Sequence, residues 1–324
     1  MKRHWRKALT LVLVLALLLT VVLTGCKKEA AKDPNALEFG LIIRTLSVPF
    51  FMNLYDGVQQ AFEDYNAENG TKHNLTMLDS NTDLQKEMNN AEDMVSSGMD
   101  CVFFVSSDPQ GSMQTIEILT NAKIPLVIID SGANNSELAD AFIKTDNVAA
   151  GRIQMEHLAE AMGGKGNLIV FEDSTNANSR DRVDGRNEVL AKYPDIEIID
   201  THDGKNSVDA ALEVFNNFMQ SHAGEIDAVW TFSDTAAQGV IAALEGTAMQ
   251  KDVLVSGING DPTAKQFIKE GKMLGSSAQF PFELGYDGVN LGFRIMKGEK
   301  LEQQLFLMEP KWIDASNIDE YLEQ

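Results

Sequence analysis

The stretch Leu41–Phe62, LIIRTLSVPFFMNLYDGVQQAF, changes character halfway along. It begins as a short apolar run that reads as a buried strand. From Phe51 on, Leu54, Val58, Phe62 and Tyr65 recur at spacings of three and four and draw one apolar face of a helix. The pattern ends at AENG, residues 67–70, whose glycine suits a helix C-terminus. A strand feeding directly into an amphipathic helix is the repeating unit of a parallel sheet. Its turn here carries two adjacent phenylalanines, Phe50 and Phe51, at a place where binding loops lie.

The same alternation runs along the chain. Strands are expected at LEFGLIIR, NLTMLDS, CVFFVSS, IPLVIID, NLIVFED, IEIIDTH, AVWTFSD, VLVSGIN and LGSSAQF, each followed by a helix candidate. This order predicts an α/β chain of doubly wound parallel sheets with helices on both faces. It breaks once, in IIDSGANNSELADAFIKTDNVAAG, residues 128–151, where a strand leads through turn residues into a second strand-like run. That break is a candidate crossover between two lobes. In parallel sheets the loops after strand C-termini line the crevice, so the polar residues ending each strand are the ones to follow.

The N-terminus reads differently. MKRHWRK is basic, and the 16 residues Ala8–Leu23 hold only aliphatic residues, alanine and threonine, which is the plan of a secretory signal and too short for a bilayer span. It stops at LTGC, Leu23–Cys26, which resembles a bacterial lipobox; the resemblance implies cleavage before Cys26, lipid attachment to it, and a polar tether. An ordinary signal with an incidental cysteine is the alternative. The first 25 residues carry four Lys/Arg and no acid, so the remaining 299, with 23 basic against 48 acidic residues, are net −25. Such a surface repels nucleic acid. Cys101, in CVFFVSS, is then the one other cysteine and reads as a small buried hydrophobe.

Enzymatic machinery is not visible. The chain has no G-x-x-x-x-G-K-[ST], G-x-S-x-G or H-E-x-x-H, and the first strand-to-helix turn lacks G-x-G-x-x-G. His73, His157, His202 and His222 show no metal-ligand spacing, so neither metal nor cofactor is expected.

Several motifs occur in a telling order: PFF and DG at the first helix, IPLVIID, TDNVAAGR, SRDRVDG, SDTAAQGVIAAL, VSGINGDP and GSSAQFP. Together, from Leu37 to Leu322, they resemble the type I periplasmic sugar-binding proteins of the ribose and galactose type, which deliver monosaccharides to ABC importers. The resemblance implies two doubly wound lobes joined by a three-crossing hinge. Residues 1–25 are then the signal, 26–36 the tether, 37–145 plus 280–308 the N-terminal lobe and 146–279 plus 309–324 the C-terminal lobe. It also implies a monomer that binds a sugar, an ABC permease as partner, and an extracytoplasmic, lipid-anchored location. A receptor component that presents a sugar-like signal to a membrane sensor is the alternative.

Carried over by motif, the resemblance places ligand contacts at Arg44, Phe50, Phe51, Asp130, Ser131, Arg180, Asn206, Ser233, Asp234, Asn259 and Gln279. A phenylalanine gives a flat wall for the C–H face of a sugar ring, and a carboxylate and a guanidinium fork give directional bonds to its hydroxyls. One or both phenylalanines could instead pack under the first helix, and Asp234 could be a helix cap. Arg182 and Arg186 read as surface charges paired with Asp181 and Asp184. The chain departs from the family at Arg44, where ribose binders carry a small hydroxyl residue, and at Val48, in place of an amide. Ser131 replaces an arginine, Asn259 a usual acid, and Asn206 stands where many members place a second aromatic; Phe232 or Trp230 would have to supply that missing wall. Arg44 and Arg180 balance Asp130 and Asp234, so an uncharged ligand is expected.

Overall fold

The computed structural model describes residues 36–204 and 206–322. Strand β1 (Glu38–Ile43) is buried along nearly its whole length because it pairs on both sides, in parallel, with β2 (Asn74–Asp79) and β3 (Cys101–Phe104). Val48 then takes an extended conformation, and Pro49 opens helix α1 (Pro49–Asn69) at its first turn, where the missing N–H costs nothing. Gly70, at φ +63°, closes the helix with its N–H on the Asn66 carbonyl. Phe51, Leu54, Val58 and Phe62 form the buried face, as their spacing predicts. Around Phe62 gather Phe39, Phe103 and Phe293, ring centroids 5.1–6.1 Å apart. Each such ring stabilises by roughly 1.5–3 kcal/mol through burial alone.

Two six-stranded sheets result. The first has the order β11-β5-β4-β3-β1-β2, with β4 (Leu126–Ile129), β5 (Ala141–Thr145) and β11 (Leu305–Met308), and is wholly parallel. The second has the order β12-β10-β9-β8-β6-β7. Its strands are β6 (Lys165–Glu172), β7 (Asp195–Asp203), β8 (Ala228–Thr231), β9 (Leu254–Asn259), β10 (Gly275–Ala278) and β12 (Lys311–Asp314). Only β12 runs antiparallel to its neighbour. The chain passes from the first sheet to the second after β5, returns after β10, and passes over again between β11 and β12. Each sheet has its own core, one around Trp230, Phe171 and Phe215, the other around Phe39, Phe103 and Leu41.

Cys101 is fully buried, and burial pushes its thiol well above the ordinary range, so it packs as a hydrophobe. Cys26 and the candidate signal lie outside the described residues.

Candidate binding cleft

The C-terminal ends of both sheets open onto one cavity of about 550 Å³. From the first sheet come Arg44, Phe50 and Phe51 after β1, Ser107 after β3, and Asp130 and Ser131 after β4. The second sheet supplies Asp173 after β6, Asn206 after β7, Phe232 and Ser233 after β8, Asn259 ending β9 and Gln279 after β10. A larger depression, about 730 Å³, lies at the opposite end of the second sheet among Lys165, Asp195, Glu197, Asp227 and Asp252. It sits at strand beginnings, is open to solvent, and has no aromatic ring in its wall. The cavity between the strand ends of both sheets, which has aromatic rings in its wall, is therefore the candidate site.

Three of its residues other than glycine hold unusual backbone conformations, Thr82 at φ +59° and two at strand ends. Asp130 has φ +65° and Asn259 φ +144°, one at a strand end of each sheet. Asp and Asn tolerate the left-handed region better than other side chains, and such angles persist where the surroundings enforce them. Asp130 is held by its N–H to the Ile143 carbonyl at 2.8 Å. Its side chain is 5 % exposed. Burial raises its pKa, and the neighbouring Arg182, Ser131 and Arg44 pull it back down.

The cation facing Asp130 is Arg182, which corrects the expectation for Arg180. Both lie on α5 (Ala177–Leu190), and residues two apart on a helix point about 200° apart, so when one faces the cavity the other faces solvent. Arg180 is exposed and donates from Nη1 to the Ser174 carbonyl at 2.8 Å. Arg182 is 6 % exposed, donates from Nε to Asn147 Oδ1 at 2.8 Å and from Nη1 to the Phe232 carbonyl at 2.7 Å, and lines the cavity. Burial lowers its pKa to about 10, against the pull of Asp130 and Asp234, so it stays charged at neutral pH. Helix α5 comes this close because Gly151 on α4 (Asn147–Ala161) and Gly185 on α5 let the two backbones touch. A Cβ at Gly151 would collide with the Arg182 carbonyl, and one at Gly185 with the Val148 carbonyl.

Arg186, one turn on from Arg182, is likewise buried and not a surface charge. It bridges Glu172 at 3.0 Å and lies 4.9 Å over the Trp230 ring. Trp230 is thus core, and Phe232 is the aromatic that reaches the cavity. Asp181 pairs with Lys144 of β5 at 2.6 Å, not with its helix neighbour.

Asp234 is the second correction. It is neither in the cavity wall nor a cap. Ser233 caps α7 (Asp234–Leu244), accepting from the Ala236 N–H, and donates to Asn206 Oδ1 at 2.6 Å. Asp234 lies behind the wall, 4 % exposed, accepting from Ser276 Oγ and from the Asp261 N–H at 2.9 Å. Burial, then the Asp261 carboxyl beside it, push its pKa up to about 7.

Phe51 is 8 % exposed and belongs to the core of the first sheet while touching the cavity; Phe50 is half-buried against it, edge to face at 5.3 Å. The Arg44 guanidinium lies 5.9 Å from the Phe51 ring centre. Of the residues expected at the site, Arg44, Phe50, Phe51, Asp130, Ser131, Asn206, Ser233, Asn259 and Gln279 line the cavity, while Arg180 and Asp234 do not. Arg182, expected at the surface, lines it too, as do Asp173 and Ser107, which follow strand ends but were not among the expected ligand contacts. No histidine lines the cavity, and no group of metal-binding side chains occurs among the described residues.

Residues 39–300 match the model of the periplasmic binding protein domain. The chain belongs to this family. Its members are solute-binding proteins, which hold a cargo without converting it. The chain is similar to the ribose import binding protein of Salmonella typhimurium, 28 % identical over 300 residues and covering 92 % of this chain and 95 % of that one. It is also similar to the xylitol-binding protein of Mycolicibacterium smegmatis, 25 % identical over 303 residues and covering 93 % and 84 % of the two chains. Among solved structures, an ABC transporter solute-binding protein from Bacillus halodurans with bound myo-inositol superposes with a TM-score of 0.82 at 22 % identity, covering 90 % of this chain and 99 % of that one. These likenesses match the two parallel-sheet lobes described above.

Proposed function

We propose that this chain is an extracytoplasmic, lipid-anchored solute-binding component of an ABC importer that captures an uncharged monosaccharide or polyol. The observation that carries the reading is the meeting of strand ends from both sheets in one cavity, with Asp130 from one side and Arg182 from the other. Residues 37–145 with 280–308 and residues 146–279 with 309–324 act as the two jaws, and a ligand bound to both holds them together. Phe50, with the Phe51 ring edge to face beside it, offers an apolar surface, while Asp130, Ser131, Arg182, Asn206, Ser233, Asn259 and Gln279 surround it with donors and acceptors.

Charge supports a neutral ligand. The cavity wall holds Arg44 and Arg182 against Asp108, Asp130 and Asp173. Asp108 is committed to the N–H groups of Gln110 and Gly111, and Asp173 to Thr175. Those bonds orient the two carboxylates without removing their charge, so the formal charges of the wall sum to −1, two guanidiniums against three carboxylates. An anion entering the closed cavity would be left uncompensated beside these carboxylates, whereas hydroxyls need only directional bonds. The relatives named for ribose and xylitol, and the myo-inositol-bound structure, agree with a neutral polyol.

The anchor rests on LTGC at Leu23–Cys26 and the apolar run before it. It predicts that Cys26→Ser abolishes both the lipid mass increment and membrane association; identical fractionation of variant and wild type would contradict it. The binding reading is tested by a thermal-shift screen of neutral sugars, polyols, uronates and sugar phosphates on residues 27–324. A ligand of the folded state raises Tm by mass action. A neutral compound should give the largest shift, and a response confined to the anions would reject the reading.

A further inference from the structure

Loop 259–261 carries a chain of hydrogen bonds with a fixed direction. Asn259 Nδ2 donates to Asp261 Oδ2 at 3.3 Å, and Gln279 Nε2 donates to Asn259 Oδ1 at 2.7 Å. The loop is pinned from behind: the Asp261 N–H donates to Asp234, the Gly260 N–H to Ser276 Oγ, and Ser276 Oγ to Asp234. Asn259 and Gln279 line the cavity, and Asp261 does not. Gln279 is 6 % exposed, and its Oε1 is buried without a hydrogen-bond partner.

An amide can be turned either way, so its sense follows from its partners. A carboxylate only accepts, which turns the Asn259 NH₂ toward Asp261 and its carbonyl toward Gln279. That carbonyl in turn takes the Gln279 NH₂, and the Gln279 carbonyl is left over. Burial raises the Asp261 pKa, but its bond from Asn259 and the Arg182 charge pull it down, whereas Asp234 has Asp261 itself as a like-charged neighbour. The bond from Asn259 and the Arg182 charge both favour the carboxylate form of Asp261, in which it keeps its acceptor role.

We propose that Asp261, without touching the ligand, is a positioning residue that sets the polarity of the Asn259–Gln279 pair, so that Gln279 offers a bare carbonyl oxygen and this subsite selects a ligand hydroxyl acting as a donor. The inference rests on the proposed function, because it concerns the same cavity. It distinguishes this site from one that merely tolerates a polar group. A ligand with hydrogen, fluorine or a methyl ether at that position leaves the buried Gln279 oxygen unsatisfied and is rejected.

The test uses residues 27–324 and isothermal calorimetry. D-ribose, D-allose, xylitol and myo-inositol are titrated first, then every monodeoxy and monodeoxyfluoro analogue of the tightest of the four. At one position both analogues should bind about tenfold or more weakly than the parent, fluorine giving no rescue because it cannot donate. In Asp261→Asn the pair is free to take either sense, and that discrimination should fall to about threefold or less. In Asn259→Asp with Asp261→Asn, a carboxylate at 259 again takes the Gln279 NH₂, and the discrimination should return. If Asp261→Asn weakens parent and analogues by one common factor, Asp261 is merely structural and the proposal is overturned. Should that variant be too unstable to titrate, Gln279→Met serves: it must erase the gap between parent and analogue at that position, and a persisting gap overturns the proposal. Failure of all four compounds to bind the wild type would overturn the neutral-polyol reading along with it, whereas binding with unaltered discrimination in the variants would overturn the relay alone.

Discussion

Replacing Arg182 by Met should damage both binding and stability, and replacing Arg180 by Ala should damage neither. Arg182 makes two bonds to buried acceptors, Asn147 Oδ1 and the Phe232 carbonyl, and its charge answers Asp130 and, behind the wall, Asp234 and Asp261. Methionine fills the stem volume but strands these partners. Removing one member of a buried charge pair costs about 3–5 kcal/mol of stability. Losing a charge-assisted bond to a ligand hydroxyl costs about 1.5–3 kcal/mol more, a loss of affinity of roughly 10- to 150-fold. Arg182→Lys keeps the charge but cannot span both acceptors, so it should fold better than Arg182→Met and still bind about tenfold more weakly than wild type. Arg180 has one bond to an exposed loop carbonyl, and its loss should stay within about 0.5 kcal/mol. Urea melts and calorimetry with the best ligand of the screen, run on all three variants, decide the matter. Arg180→Ala weakening binding by about tenfold while Arg182→Lys binds normally would refute the helix-face assignment.

Phe50→Ala should weaken binding by about 0.5–1.5 kcal/mol beyond any lost contact area with little change in Tm, since the ring is half-buried at the cavity, whereas Phe51→Ala should cost about 3–5 kcal/mol of stability because that ring is core; thermal melts and titrations of the two variants show whether the roles separate. Asp234 adds a pH dependence. An acid whose pKa is higher folded than unfolded binds its proton more tightly when folded, so its contribution to stability is fully present below about pH 4 and is lost as pH rises toward 7. Comparing wild type with Asp234→Asn across that window should show wild-type stability falling relative to the variant, by a few kcal/mol; a relative rise with pH would contradict it.

The fold was legible because β3 and β4 are short, fully apolar runs, β1 and β8 are apolar but for Glu38 and Thr231, and α1 has a clear 3.6-residue period, so local chemistry and final environment agree. Strands β11 and β12 were not singled out. Each is four residues long, and which sheet a late strand joins depends on partners far away in sequence. At the site, residues ending strands were found by position, since strand C-termini mark the crevice. Arg182 was missed because SRDRVDG offers two arginines and the choice depends on the rotation of α5, which Gly151 and Gly185 fix through contact with α4. The helix has so little hydrophobic patterning of its own, with buried Ser179, Arg182, Gly185 and Arg186 on one face, that a burial rule reads that face as solvent. Asp234 looked like a ligand contact because it follows a strand, yet the backbone turn gives that place to Ser233 and sends the carboxylate back toward Ser276.

The most direct test is calorimetric titration of residues 27–324 with D-ribose, D-allose, xylitol and myo-inositol, at low salt and at 0.5 M salt, on wild type and Asp130→Ala. At least one compound should bind at a single site, with an affinity that changes by less than about twofold between the two salt conditions, because a neutral ligand presents no net charge to screen. Asp130→Ala should lose about tenfold or more while melting cooperatively, since it removes a buried acceptor from the cavity wall. Binding that requires a uronate or sugar phosphate, that weakens about tenfold in salt, or that is indifferent to Asp130→Ala would contradict the account.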